Sequence, residues 1–250
     1  MATSYPQVVL LGDSLLEYST HTTEGFCFQA ALQSQCIRRL DVVNRGLGGW
    51  NTSKVLKYLD DIIPKPTGST PKMKYLIILL GINDAALPSL SKQHVPIDEY
   101  KRNLTQIITH VNVQAHSPKI LLVTPPPINE MKFRENERAR GLLEGSRDFK
   151  TSAAYSEKAR EVARENEGVV LIDLWQALMD KATAQGAGGL DSLLPDGIHL
   201  AGEAYRVLYE EIKQHIGREW VYEGAQDSSG YMYPDYRDLF DLRALLPNGW

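Results

Sequence analysis

Five short apolar runs, at residues 8–11, 41–44, 74–80, 119–124 and 169–172, alternate with stretches of helical spacing through most of this 250-residue chain. Runs this short do not separate strand from helix by period. Their β-branched residues and the glycines, prolines and polar turns that end them favour strands buried on both faces. Between them, residues 25–39, 51–63, 97–111, 153–165, 174–181 and 201–216 read as helices; in the third, Ile97, Tyr100, Leu104, Ile107, Ile108 and Val111 fall on one face behind Pro96. Strand and helix in alternation imply parallel strands joined by right-handed crossovers. The expected fold is therefore a three-layer α/β/α sandwich, and a content of 43% hydrophobic residues supplies the core for one domain over residues 1–250.

Three stretches stand outside this alternation. Residues 64–71, PKPTGSTP, read as a surface loop. Residues 128–150 are polar and charged without an apolar period, and are expected to form a surface insertion or long loop, partly helical. Residues 221–250, rich in Tyr, Asp and Gly, are expected to be a tail lying along the domain.

Composition removes several function classes. A net charge of -4 with no basic stripe lacks the footprint of a nucleic-acid binder. No run approaches 18 apolar residues, and the start MATSYPQ has neither a basic nor an apolar leader region, so a cytoplasmic protein without stable membrane association is expected. Cys27 and Cys36 fall in one expected helix, roughly 13 Å apart along its axis, too far for a disulfide. Without C-x-x-C or H-E-x-x-H spacing no metal is expected. The glycines at 46 and 48 make only a weak dinucleotide pattern, because Asn51 occupies the third required position, and there is no P-loop. No cofactor is expected.

An open parallel sheet binds its ligands outside the carboxyl ends of its strands, and Gly12-Asp13-Ser14 follows the first of them. Alone, Asp13 or Ser14 serves equally well as a helix cap. Ester attack through serine needs a base, a carboxylate to orient that base, and donors for the developing oxyanion. His199 can take the Ser14 proton, and Asp196, three residues earlier, can hold the imidazole tautomer. Histidines 21, 94, 110, 116 and 215 have no comparable carboxylate turn.

Four blocks occur in order: G-D-S at 12–14, N-R-G-L-G-G at 44–49, G-I-N-D at 81–84 and D-G-I-H at 196–199. Together they resemble the SGNH hydrolases, the GDSL esterase/lipase family, and NRGLGGWNT with TPPPIN at 124–129 resembles the isoamyl acetate-hydrolysing esterase branch. The resemblance implies a flavodoxin-like sheet of five parallel strands and hydrolysis without cofactor. It implies Ser14 as nucleophile, Asp196 and His199 as acid and base, and an oxyanion hole of Ser14, Gly49 and Asn83. Gly48 competes with Gly49 for that role, although the five-residue step from Asn44 favours Gly49. Leu16 stands where a G-x-S-x-G elbow would need its second glycine, which excludes an ordinary α/β-hydrolase. The 128–150 segment and the GAGG loop at 186–189 depart from the branch pattern.

The implied function is hydrolysis of short-chain, acetate-type esters through an acyl-enzyme, with a place in lipid metabolism. A carbohydrate deacetylase, with Trp50 stacking on a sugar, a lysophospholipase-like esterase and a non-catalytic ester- or sugar-binding relative are the alternatives. The expected partner is a small-molecule ester, and a homo-oligomer is compatible with the chain.

Overall fold

The structure, a computed structural model, describes residues 4–23, 25–141, 145–217, 230–236 and 240. Its elements run β1 (Gln7–Gly12), α1 (Ser14–Glu17), α2 (Phe28–Cys36), β2 (Asp41–Gly46), α3 (Thr52–Lys57), α4 (Leu59–Ile62), β3 (Met73–Leu79), α5 (Ile97–Thr109), α6 (Val111–His116), β4 (Lys119–Val123), α7 (Glu130–Ala139), α8 (Phe149–Glu165), β5 (Val170–Ile172), α9 (Leu174–Gln185), α10 (Gly189–Leu193) and α11 (Gly202–Lys213). The strands form one parallel sheet in the order β2-β1-β3-β4-β5, the flavodoxin-like order. Alternate residues of each strand face opposite layers. Val8, Leu10, Ile77, Leu79, Leu121 and Val123 pack with residues of α2, α9 and α11, whereas Val9, Leu11, Leu76, Ile78, Ile120 and Leu122 pack with residues of α3, α5 and α8. This is the three-layer α/β/α sandwich.

Several elements differ from their sequence pattern for local reasons. The helix read over 25–39 begins only at Phe28, so Cys27 is its cap and Cys36 its last residue; both thiols are free. The one read over 51–63 breaks at Tyr58. His110 leaves the helical region at ψ 137°, and its Nδ1 accepts the Asn112 N–H, ending α5 and capping α6. Of the partly helical surface insertion or long loop read over 128–150, the helical part is present and the surface placement is corrected. Asn129 accepts the Lys132 N–H and starts α7, whose Phe133 and Glu137 are buried, and Ser146 and Arg147 beyond it are buried as well.

Of the expected tail, residues 221–229, 237–239 and 241–250 lie outside the described residues. Residues 230–236 lie against Arg38, which donates to the carbonyls of Tyr233 and Pro234 and pairs with Asp235, while the Met232 N–H donates to the Arg38 carbonyl.

The sheet order reverses at β1, so its neighbours β2 and β3 open a crevice above its carboxyl end. Register brings Gly12 beside both Gly46 and Leu79, Leu79 beside Val123, and Val123 beside Ile172. At this edge α1 crosses so close to β2 that a Cβ on Gly46 would stand 2.1 Å from the Glu17 backbone nitrogen. Backbone cannot yield as a side-chain end can. Gly46→Ala is expected to displace α1 and cost about 1–3 kcal/mol, the usual range for overpacking. At about 2–4 °C per kcal/mol for a chain of this size, scanning calorimetry should register a clear fall in Tm; an unchanged Tm would contradict the close approach.

Candidate active site

Asp13 caps α1 by accepting the Leu15 N–H at 2.9 Å, which makes Ser14 the first residue of a four-residue helix. Ser14 is 7% exposed and its Oγ lies 3.0 Å from His199 Nε2. The other ring nitrogen, Nδ1, lies 2.5 Å from Asp196 Oδ2. Asp196 Oδ1 accepts the backbone N–H groups of Ile198 at 3.0 Å and His199 at 2.8 Å, folding acid and base into one turn through Gly197 at φ 97°. Burial opposes ionisation of Asp196, but the His199 ring and those two N–H groups outweigh it and hold the carboxyl well below its ordinary range. The turn is held from α7: Asn136 Nδ2 donates to the Asp196 carbonyl and the Asn129 N–H to that of Gly197.

The structure also brings the glycine loop and Asn83 to this edge. The Gly48 N–H donates to Glu17 Oε2. The Gly49 N–H, at a residue with φ 76°, has no hydrogen-bond partner among the described residues. Asn83, 4% exposed, donates from Nδ2 to the Trp50 carbonyl at 2.8 Å and accepts at Oδ1 from Arg147 Nη2 at 2.9 Å. The Trp50 ring packs on Tyr58, with centroids 5.5 Å apart.

Beside His199 a cavity of about 380 Å³ is lined by Tyr18, His21, Phe26, Pro195 and Tyr205 among others. The Tyr18 ring stacks on His21 and stands 5.0 Å from the His199 ring. Among the described residues no cluster of three metal-ligating side chains occurs, and no helix is long and apolar enough to cross a membrane.

Sequence reasoning missed the residues that hold these groups. Glu17, Gln93, Asn136 and Arg147 all act through partners 31 to 64 residues away. Asn129 could have been recognised as a helix cap ahead of Glu130, but nothing local marks the others.

Two buried carboxylates sit beneath the site. Burial raises Asp13 to about 7, a shift the Leu15 N–H and Arg147 reduce and Asp84 increases. Burial raises Asp84 to about 6 against hydrogen bonds from the Thr52 hydroxyl and N–H. Asp13 Oδ2 is buried without a hydrogen-bond partner among the described residues.

A parallel α/β/α sandwich with serine, histidine and aspartate in one hydrogen-bonded line at its carboxyl edge has the architecture of a serine hydrolase. The profile of the GDSL-like Lipase/Acylhydrolase family matches residues 10–207, and the chain belongs to that family. A GDSL esterase/lipase of Arabidopsis thaliana is 31% identical over 86% of this chain and 87% of its own length. An isoamyl acetate-hydrolyzing esterase 1 homolog of Rattus norvegicus is 32% identical over 96% of this chain and 90% of its own. The crystal structure of an acetyl xylan esterase matches with a TM-score of 0.67 at 18% identity, over 84% of this chain and 100% of that one, a likeness of fold.

The buried carboxylates set a pH dependence. Their folded values of about 7 and about 6 exceed the 3.8 of the free side chain, so the folded protein retains protons that the unfolded chain has released. The stability they contribute is complete below pH 3.8 and is lost as pH rises through 6 and 7. Asp196 acts oppositely: its contribution is present above 3.8 and lost as pH falls below that value. Thermal scans should therefore show Asp13→Asn, which keeps an oxygen for the Leu15 N–H, losing less Tm than wild type between pH 4 and 8. Parallel slopes would place the Asp13 carboxyl in the ordinary range.

Proposed function

We propose that this GDSL-family hydrolase cleaves short-chain, acetate-type carboxylic esters through an acyl-enzyme on Ser14. The observation that carries the reading is the line from Ser14 Oγ through His199 to Asp196, with contacts of 3.0 Å and 2.5 Å. With Nδ1–H held by the Asp196 carboxylate, Nε2 presents its lone pair to the Ser14 hydroxyl. Ser14 Oγ bonds to the ester carbonyl carbon as its proton passes to Nε2. The tetrahedral intermediate then collapses, the C–O bond to the alcohol breaks, and Nε2–H protonates the departing oxygen. Water repeats the sequence on the acyl-enzyme, releasing the acid and restoring Ser14.

In this reading the oxyanion is taken by the backbone N–H groups of Ser14 and Gly49 and by the second N–H of Asn83 Nδ2. Gly49 is preferred to Gly48 because the Gly48 N–H is already used by Glu17. Likeness to an isoamyl acetate-hydrolyzing esterase homolog over 96% of the chain supports small acetate-type esters.

Ser14→Ala is expected to abolish ester hydrolysis with Tm retained. Asn83→Ala is expected to lower kcat by about 10²–10³-fold with KM little changed, as for loss of one oxyanion donor. Should Asn83→Ala lose Tm while kcat of the folded protein stays near normal, Asn83 is only a turn residue. Across nitrophenyl acetate, butyrate, octanoate and palmitate, kcat/KM should be highest for the two shortest. Preference for palmitate would move the reading to a lysophospholipase-like enzyme, and faster release of acetate from an acetylated sugar than from isoamyl acetate to a carbohydrate deacetylase.

A further inference from the structure

We propose that Arg147 is a positioning residue for ester hydrolysis: its buried guanidinium fixes which way the amides of Asn83 and Gln93 face, and thereby sets two of the three donors of the oxyanion hole. The proposal rests on the oxyanion reading above.

Arg147 lies in the polar segment between α7 and α8, yet it is 6% exposed. Its Nε donates to the Ile82 carbonyl at 2.9 Å, and Nη1 donates to Ser146 Oγ at 3.3 Å. Nη2 donates to two amide oxygens, Asn83 Oδ1 at 2.9 Å and Gln93 Oε1 at 2.8 Å. A guanidinium has five N–H donors and no acceptor. An amide meeting it must therefore present oxygen inward and turn its NH₂ away.

For Asn83 that places Nδ2 toward the Trp50 carbonyl, with one N–H still available for the ester oxygen. For Gln93 it places Nε2 on the Gly49 carbonyl at 2.9 Å, steadying the residue whose own N–H, in the preceding peptide, supplies a second donor. Were Asn83 flipped, its oxygen would face both the Trp50 carbonyl and the developing oxyanion, two acceptors with no proton between them. The charge also matters beyond orientation. A hydrogen bond from a cation to Oδ1 polarises the amide and makes Nδ2–H a stronger donor at the moment negative charge appears.

The cation is held in place by the same segment. Burial works against its charge and lowers its pKa, and Glu137 and, less, Asp13 offset part of that. Glu137 accepts the N–H and hydroxyl of Ser146, both at 2.6 Å, which fixes the residue before Arg147.

A double-mutant cycle of Arg147→Met with Asn83→Ala, read as kcat and KM on nitrophenyl acetate with Tm alongside, tests the proposal. Arg147→Met is expected to lower kcat by about 10-fold or more, up to the loss from removing the Asn83 donor itself, with KM little changed. In the Asn83→Ala background the same substitution should cost distinctly less, because one of the two amides it orients has gone. Where Arg147→Met fails to fold, Arg147→Lys, which keeps the charge but not the planar fork, runs in the same cycle with the same coupling expected. Equal fold losses in both backgrounds, or a fall in Tm with kcat of the folded protein unchanged, overturns the proposal. If Asn83→Ala alone leaves kcat intact, the oxyanion reading fails first and takes this proposal with it; additive losses on top of a damaging Asn83→Ala defeat the Arg147 role alone.

Discussion

Burial of the three central strands, β1, β3 and β4, between two helical layers is the constraint from which the site follows. Residues such as Leu10, Leu11, Ile77, Ile78 and Leu122 have no exposure, so the middle of the sheet offers no face where a polar side chain can reach solvent. Polar chemistry is confined to the strand ends. Parallel register then brings those ends level, and the reversal of order at β1 keeps the loops after β1, β2 and β3 from covering one another. Ser14, Gly49 and Asn83 thus follow three adjacent strands, because two successive crossovers return the chain to one edge.

Asp196 and His199 reach that edge differently, on a turn that belongs to no strand. The α7 segment joins the two arrangements. Asn129 and Asn136 hold the backbone of the acid–base turn, and Arg147, past the end of the same helix, holds Asn83. A segment with little apolar surface is well suited to this, since its work is to donate hydrogen bonds to carbonyl and amide oxygens that the sheet edge leaves unpaired. Its own buried charges, Glu137 and Arg147, sit within one network with Ser146, so neither is an isolated ion in the interior.

How much of this was legible in the chain depended on the range of the interaction. The central strands could be read because burial on both faces writes itself into consecutive residues, and the edge strands β2 and β5 from short β-branched runs between turns. The Asp196 and His199 turn could be read because both residues lie within four positions, where spacing alone fixes geometry. Asn83 and Gly49 were reached through glycine turns and family resemblance. Arg147 was not, because a charged residue in a polar run is ordinarily solvated, and only the folded chain brings Asn83 and Gln93, 64 and 54 residues away, against it. The choice between Gly48 and Gly49 was open for the same reason: the carboxylate that takes the Gly48 N–H is Glu17, 31 residues earlier. Helix breaks at Tyr58 and His110 escaped the apolar period because that period continues across a single non-helical residue.

The helix that presents Ser14 is itself too short to persist alone, since a nucleus of four residues costs more than its hydrogen bonds return. Tertiary contacts must hold it, and they converge on its few carbonyls. Tyr205 of α11 donates its hydroxyl to the Leu15 carbonyl at 2.7 Å, Asn44 of β2 donates to that of Leu16 at 2.8 Å, and Ser19 donates to the same oxygen at 2.6 Å. From below, the Asp13 cap fixes the first turn at the expense of a buried carboxylate with one unpartnered oxygen. Replacing that carboxyl by a neutral cap would ease burial, yet above about pH 7 it would also remove a negative group that favours the Arg147 charge. The unpartnered carboxyl oxygen beneath the serine and the charge behind the asparagine therefore belong to one electrostatic arrangement, and the stability of the edge is tied to the orientation of the groups that line it.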